Sequence, residues 1–126
     1  MDVELRAINK NFGKVKAVND LSLEIKQGEF LVLLGPSGCG KTTALRMIAG
    51  LETIEQGELF IEGQLMNEVL PKYRDVAMVF QSYALYPHMT VEENVGYPLK
   101  MRKIKGQERK DSILQACRQV QINDLL

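Results

Sequence analysis

The sequence has no tryptophan, a single histidine and only two cysteines in 126 residues. The cysteines, Cys39 and Cys117, lack any metal-ligand or CxxC spacing, so a cysteine-based metal or redox motif is excluded. The formal net charge is zero, which gives no basic surface for nucleic acid. No apolar run approaches the roughly 20 residues that span a bilayer, and the N-terminus has no signal-peptide core. We therefore expect a cytoplasmic protein with one modest hydrophobic core and no nucleic-acid partner.

What the sequence does contain is a glycine-rich loop. Residues 35–42 read GPSGCGKT, which has the form G-x-x-x-x-G-K-[ST] of a phosphate-binding loop. An apolar run at residues 30–34 precedes it and a helical pattern over residues 41–50 follows, which is the strand–loop–helix context that the motif needs. The glycines allow left-handed turns and a close backbone approach to a polyphosphate, and the helix N-terminus adds its positive dipole end. The alternative is a glycine turn before a helix with a helix-compatible lysine.

The loop assigns roles to its side chains. Lys41 is expected to reach the β- and γ-phosphates, and the Thr42 hydroxyl is a hard oxygen ligand suited to Mg²⁺. Thr43, on the first helical turn, can donate to the α-phosphate. Cys39 is either a reactive thiol or a small residue tolerated in the loop, and the second interpretation is favoured. In either case, bound nucleotide should shield Cys39 from alkylation.

The hydrophobic pattern predicts an α/β fold. Alternation over residues 3–8 and 21–25, with turn residues at 11–14, indicates an antiparallel sheet. The expected further elements are a central strand at 30–34, a helix over 41–50 that ends at Gly50, a strand at 58–61 followed by a Glu62-Gly63 turn, and a buried parallel strand at 76–80.

The remainder reads as an aromatic loop and two helices. Thr90 to Glu93 fits a capping box, so a helix should begin near Val91 and break before Pro98. Residues 100–110 hold six basic side chains, which fit a solvated face better than an anionic partner site. One face of a last helix is marked by Ile113, Leu114, Cys117 and Val120.

The segments GPSGCGKTT, LRMIAGLE and RDVAMVFQSYALYPHMTVEENV together are far more specific than the loop alone. With them the whole chain resembles the N-terminal part of the ATP-binding subunits of ABC transporters, in the importer branch that serves sugars, glycerol phosphate, polyamines and similar solutes. The resemblance implies a P-loop NTPase with an antiparallel β subdomain, part of a parallel core sheet and the start of a helical subdomain. It places the β subdomain and Walker A core in residues 1–84 and the incomplete helical subdomain in residues 85–126.

The resemblance also implies site residues and partners. The Walker A loop, which would bind ATP and Mg²⁺, matches Gly35, Ser37, Gly38, Cys39, Gly40, Lys41, Thr42 and Thr43. Gln81 matches the Q-loop glutamine that helps hold Mg²⁺ and the attacking water, so Lys41 and Gln81 are the catalytic candidates and Thr42 and Gln81 the metal candidates. Phe12 matches the aromatic that stacks on adenine, and Ala17 and Val18 suit the wall of the adenine pocket.

Further implied partners are a transmembrane permease, contacted through residues 82–89, and a second ATPase subunit in a homodimer on the inner face of the membrane. His88 reads as a loop or interface residue, because the family's switch histidine lies farther along. The sequence also shows no LSGGQ signature and no Asp-Glu after an apolar run, so we expect the chain alone to bind nucleotide without hydrolysing it.

Three functions remain open at this stage. The first is the nucleotide-binding part of an import ATPase, and the second is a non-hydrolytic nucleotide-binding or transporter-docking module. The third, another P-loop enzyme, is disfavoured because Asn9-Lys10-Asn11-Phe12 lacks the Asp of a GTPase base-reading motif and no Arg-rich lid is evident. The strands at 30–34 and 76–80 are not neighbours in the family's sheet, so we also expect unpaired sheet edges and apolar faces. The chain alone should then be poorly stable, or be rescued by dimerisation, swapping or a rearranged sheet.

Overall fold

Two long strands at the start of the chain form a β-hairpin. In the computed structural model, which describes residues 1–126, strand β1 (Val3–Phe12) pairs antiparallel with β2 (Val15–Ile25). β3 (Gln56–Ile61) pairs with the other edge of β1, and the short β4 (Gln64–Leu65) pairs with β3. The resulting sheet has the order β2-β1-β3-β4 and confirms the antiparallel sheet expected from the alternating pattern.

Helix α1 (Lys41–Ala49) follows the glycine-rich loop, as predicted. It ends at Gly50, whose φ is 79°; the Gly50 amide donates to the Met47 carbonyl and the Leu51 amide to the Arg46 carbonyl. This pair of bonds is a Schellman motif, which requires the left-handed conformation that glycine adopts without strain. Met47 is fully buried against the sheet residues of the core, which consists of Leu5, Ile8, Val18, Met47, Leu59, Ile61 and Met66.

Two apolar runs expected to be strands have no strand partner. Residues 30–34 and 76–80 are extended chain outside the sheet, and Phe30 and Leu34 are 91% and 89% exposed. The prediction of a buried strand at 76–80 is therefore wrong for this chain, because Val79 is 88% exposed. Such a run becomes buried only between neighbouring strands and covering helices, and the four strands formed here pair only with one another. The expectation of unpaired edges and apolar faces is confirmed.

Two helices form the end of the chain. α2 (Val91–Met101) begins with the predicted capping box: the Glu93 amide donates to Thr90 Oγ1, and the Thr90 amide donates to the Glu93 carboxylate. These bonds lower the pKa of Glu93. The expected break before Pro98 is wrong, since α2 continues through it. The proline removes one intrahelical donor, whereas Gly96 lets α3 (Gly106–Gln119) approach so closely that a Cβ there would lie 2.7 Å from Ile113 Cδ1.

The buried face of α3 is shorter than predicted. Ile113 and Cys117 are buried and Leu114 is half-buried, but Val120 is exposed because it follows the last helical residue. Two 3₁₀ turns, Pro71–Tyr73 and Asn123–Leu125, complete the elements. None of the helices has the length and apolar character needed to cross a membrane. The chain forms two compact units, Met1–Met78 and Val79–Leu126.

Candidate functional site

The glycine-rich loop has the backbone geometry that its sequence demands. Gly40 is the N-cap of α1 with φ 95°, and a Cβ on it would lie 2.2 Å from the Ala17 carbonyl oxygen. Gly38 is also left-handed, with φ 82°. Gly40 is therefore required twice, once by its backbone angle and once by the approach of β2. The loop is closed against β2 at the point where α1 begins.

The N-terminus of α1 is open to an anion. No side chain caps it, and its first turn holds no acidic residue. The first amide N–H groups of a helix have no partner within the helix, and together with the dipole they favour a negative ligand. The Ala44 amide makes the first helical bond, to the Gly40 carbonyl at 2.9 Å. The amides of the residues between them, Lys41 to Thr43, have no helical partner and are available to a phosphate.

Lys41 folds back over the loop. Its ammonium donates to the carbonyls of Gly35 and Pro36, the latter at 3.1 Å. Gly35 lies against Cys39, since a Cβ on it would come within 2.5 Å of Cys39 Sγ and would force that side chain to rotate. The cation therefore lies beside the anion-binding amides, where neutral carbonyls hold it without an acidic partner.

A cavity of about 400 Å³ opens next to this loop. Its walls come from β2, the run at residues 30–34, the loop and the first turn of α1, and its lining residues are Lys16, Ala17, Val18, Asn19, Leu21, Leu33, Leu34, Cys39, Gly40, Lys41 and Ala44. The volume is within the range of small-molecule sites. The structure thus brings Ala17 and Val18 to the same cavity as Cys39, Gly40 and Lys41, and the lining combines apolar side chains with the cations of Lys16 and Lys41.

The other candidate residues lie outside this lining. Ser37 and Thr42 are exposed, and Thr43 is half-buried on the first turn of α1. Phe12 is half-exposed at the end of β1 and does not line the cavity. Gln81 is an exposed residue of a turn at the start of the second unit.

Phe12 is held by a lysine that the sequence did not single out. The Lys10 ammonium lies 5.3 Å from the centroid of the Phe12 ring, within cation–π range. Lys10 is buried, pairs with Glu52 at 3.0 Å and Glu55 at 3.6 Å, and donates to Thr53 Oγ1 at 2.9 Å. The bond from Lys10 lowers the pKa of Glu52. This network fixes the end of β1 against the segment that follows α1.

The residues present suit a magnesium ion carried by a nucleotide better than a protein-built metal cage. No group of three or more His, Cys, Asp or Glu side chains converges anywhere in the chain. Mg²⁺ bound through phosphate oxygens needs only one or two protein oxygens, and it keeps several waters. The exposed Thr42 hydroxyl next to Lys41 is an oxygen of the type that could serve such an ion.

In the second unit, the aromatic loop is ordered by Asn94, which sequence reasoning missed. The Asn94 side chain accepts from the Tyr86 amide at 2.9 Å and donates to the carbonyls of Tyr86, Met89 and Thr90. Tyr86 stacks against Tyr97, with ring centroids 4.9 Å apart, and contacts His88 edge-on. Only the position of Asn94, four residues after the N-cap Thr90, could have signalled this role.

The tip of that loop exposes apolar side chains on a strained backbone. Tyr83 and Leu85 are exposed, whereas Met89 is partly covered. Tyr83 and Ala84 have φ values of 62° and 49°, a left-handed conformation that side chains other than glycine rarely adopt. Exposed apolar side chains clustered on a loop are typical of an interaction surface.

Sequence comparisons extend over nearly the whole chain. The family described as ABC transporter matches residues 18–126. The trehalose/maltose import ATP-binding protein of Thermococcus litoralis is 52% identical over 98% of this chain and 35% of its own length. The sn-glycerol-3-phosphate import ATP-binding protein of Rhizobium johnstonii is 48% identical over 98% and 34%. The spermidine/putrescine import ATP-binding protein of Legionella pneumophila is 51% identical over 95% and 33%.

The chain therefore spans about a third of the length of the curated relatives it matches. A similar fold is found in a dimeric ATP-binding cassette solved in a post-hydrolysis state with ADP and Pi bound. That structure has a TM-score of 0.82 and 31% identity, and the match covers 92% of this chain and 56% of the other. The likeness to this cassette confirms the predicted fold class.

Proposed function

Since the chain belongs to the ABC transporter family, we propose that it is the nucleotide-binding N-terminal part of an ATPase subunit. The parent subunit couples ATP binding and hydrolysis to solute import through a membrane partner. The observation that carries this proposal is the phosphate loop. An uncapped helix N-terminus, two left-handed glycines and the Lys41 ammonium converge next to a cavity of about 400 Å³.

The chemistry proposed for the loop follows from its donors. The amides at the start of α1 bind the phosphate oxygens, and Lys41 leaves the Gly35 and Pro36 carbonyls to pair with the β- and γ-phosphates. Gly35, Ser37, Gly38, Cys39 and Gly40 form the backbone that encloses the phosphates. Thr43 donates to the α-phosphate. Bound Mg²⁺ supplies charge neutralisation on the phosphates, and Thr42 and Gln81 are its proposed protein ligands.

The adenine is proposed to lie between Phe12 and the Val18 wall. Phe12 offers a half-exposed ring face for stacking, and Lys10 holds that ring from the protein side. Val18 is a buried part of the cavity wall. In hydrolysis, Lys41 neutralises charge that develops on the transferred phosphoryl group, and Gln81 orients the attacking water.

The proposed partners follow from the exposed loop and from the family. Residues 82–89 dock on a transmembrane permease, with Tyr83 and Leu85 as the apolar contacts. A second ATPase subunit completes a dimer, and the subunit lies on the cytoplasmic face of the membrane. The three relatives compared above are named for unrelated solutes at similar identity. We infer that this part of the subunit carries shared nucleotide chemistry rather than the choice of solute.

Isothermal titration calorimetry of the full chain with Mg·ATP tests the proposal. Lys41→Ala is expected to weaken binding by about tenfold or more, because it removes a charge-assisted contact to the phosphates. Lys72→Ala is the matched control: it deletes the same charge from an exposed side chain outside the cavity lining and should leave the Kd unchanged.

A phosphate-release assay separates the import ATPase from the non-hydrolytic binding module. Binding that requires Lys41, without release of phosphate, makes this chain a nucleotide-binding half-site. Release above the Lys41→Ala background shows that the chain also hydrolyses ATP. Equal Mg·ATP binding by the wild type and Lys41→Ala contradicts the proposed role of the loop.

A further inference from the structure

Arg74 is a buried cation with only neutral partners. It is 6% exposed, and its guanidinium donates to four backbone carbonyls. These belong to Val69 at 2.8 Å, Met47 at 2.8 Å, Ile48 at 3.1 Å and Met66 at 2.6 Å. Burial lowers the pKa of Arg74, but its ordinary value is so far above neutrality that the group stays charged. A charge buried without a carboxylate is costly, so its geometry must serve the surrounding backbone.

Two of the four acceptors belong to the last turn of α1. The final carbonyls of a helix lack intrahelical partners and form the negative end of its dipole. The Schellman bonds satisfy the carbonyls of Arg46 and Met47, and Arg74 adds donors to Met47 and Ile48. Gly50 leaves room for this contact, since a Cβ there would lie 2.8 Å from Arg74 Nε. The C-terminal end of α1 is thus fixed to the segments around Met66 and Val69.

The opposite end of the same helix carries the phosphate loop. α1 has only nine residues, about 13 Å of rise, so a tilt at its C-terminus moves its N-terminal amides as a rigid body. The close approach of Gly40 to the Ala17 carbonyl leaves little tolerance for such a movement. The contacts that hold the C-terminal end of α1 therefore influence the direction of its N-terminal amides, which face the proposed phosphates.

We infer that Arg74 is a positioning residue of the phosphate loop, which acts through the C-terminal carbonyls of α1. The inference rests on the proposed function, since it assigns Arg74 to the nucleotide affinity of that site. The guanidinium is suited to this because its planar fork reaches four carbonyls at once, which a lysine ammonium with three donors cannot do.

The test compares Arg74→Met and Arg74→Lys with two control variants in the full chain. Arg6→Met removes an exposed arginine of the sheet, and Ile61→Val weakens the core from β3 without removing a donor to the helix end. The measurements are the Kd for Mg·ATP by calorimetry and the alkylation rate of Cys39 by N-ethylmaleimide, at a temperature where circular dichroism shows every variant folded. Cys39 is exposed and Cys117 is buried, so the reaction reports on the loop.

Arg74→Met is expected to weaken Mg·ATP binding by about tenfold and to raise the Cys39 alkylation rate by about threefold without nucleotide. Arg74→Lys should fall between Arg74→Met and wild type, and the two controls should match wild type in both readouts. Folded Arg74→Met with wild-type Kd and alkylation rate overturns the inference. So does Ile61→Val with the same losses as Arg74→Met, because the effect would then reflect general stability.

Two complications are covered by the same design. If Arg74→Met does not fold, Arg74→Lys becomes the deciding variant. A weaker Mg·ATP affinity and faster Cys39 alkylation than in the wild type support the inference, and wild-type values of both overturn it. If the wild type binds no Mg·ATP, or Lys41→Ala binds as well as wild type, the proposed function fails. The alkylation rate still tests the positioning of the loop, because it needs no nucleotide.

Discussion

At the level of single residues, Gly38 and Gly40 share a left-handed backbone but differ in their surroundings. A Cβ on Gly40 would meet the Ala17 carbonyl at 2.2 Å, whereas a Cβ on Gly38 would have open space within 4 Å. The two positions therefore separate the strain of the backbone angle from the steric cost of the close approach. The motif requires glycine at position 40 and leaves position 38 open, so the left-handed backbone of Gly38 is a demand that the motif does not state.

Gly38→Ala is expected to lower the free energy of unfolding by about 1 kcal/mol, which is the cost of a left-handed alanine. Gly40→Ala should lower it by more than about 3 kcal/mol, since α1 or β2 must also move. Urea unfolding followed by circular dichroism measures both. Equal losses for the two variants would show that β2 does not restrict the loop.

The phosphate-loop residues could be predicted because their chemistry is local, within eight positions of the sequence. Arg74 and Lys10 could not, since their partners are remote: Arg74 donates to Met47, 27 positions away, and Lys10 to Thr53, 43 positions away. In the sequence, Arg74 lies just before an apolar run and Lys10 lies between the predicted strand at 3–8 and the turn at 11–14, and neither position signals a buried side chain. Burial in the folded chain gives both of them their roles.

At the level of elements, local signals predicted the hairpin, α1 and the start of α2. These signals failed where the structure of a segment depends on residues that lie far away in the sequence. Residues 30–34 and 76–80 have the composition of buried strands, but a strand is defined by its hydrogen-bonded partner, which no local pattern contains. The break expected at Pro98 failed for a related reason: the helix continues through the proline beside the close packing of Gly96 on α3, a contact with residues far along the sequence.

The link between β1 and the segment after α1 gives a pH-dependent prediction. Lys10 lowers the pKa of Glu52 in the folded state. A depressed carboxyl pKa stabilises the fold above the unfolded pKa, and this stabilisation is lost as the pH falls through the folded value. Glu52→Gln should therefore lower the free energy of unfolding by about 1 kcal/mol near neutral pH, and the deficit should shrink as the pH falls below the ordinary glutamate pKa of about 4.3 and through the lowered folded pKa.

Urea unfolding across this pH range measures the deficit, with Glu68→Gln as control because Glu68 is exposed and has no ion-pair partner. A deficit for Glu52→Gln that stays constant with pH would mean that Lys10 does not depend on the Glu52 charge. A deficit of equal size for Glu68→Gln would point to net charge rather than to this contact.

At the level of the whole molecule, exposed apolar side chains are expected to drive association between copies of the chain. Phe30 and Val32 are exposed on a run without a strand partner, and such runs pair with other chains. We expect the chain to self-associate with rising concentration. The double variant Phe30→Ser/Val32→Ser should reduce this association and leave the free energy of unfolding within about 0.5 kcal/mol of wild type.

Size-exclusion chromatography with light scattering over a concentration series measures the association. Leu125→Ser, which removes an exposed apolar side chain from the terminal 3₁₀ turn, is the control and should not change it. A wild-type chain that stays monomeric and unfolds cooperatively at every concentration would contradict the prediction. The predicted division into residues 1–84 and 85–126 stays a prediction. The boundary between the two compact units of the structure falls between Met78 and Val79 in the sequence.

The bonds from Lys41 to the Gly35 and Pro36 carbonyls set a free-energy cost for every ligand that binds through this lysine. Any ligand that recruits this ammonium must first release it from two acceptors, so two of its three donors are already satisfied in the free loop, although its charge is not neutralised. A ligand with one phosphate offers too little in exchange, whereas adjacent phosphates replace both contacts and add charge. The loop should therefore rank adenine nucleotides by phosphate number more steeply than their charges alone predict. Free inorganic phosphate, even at high concentration, should leave the Lys41 ammonium bonded to the Gly35 and Pro36 carbonyls.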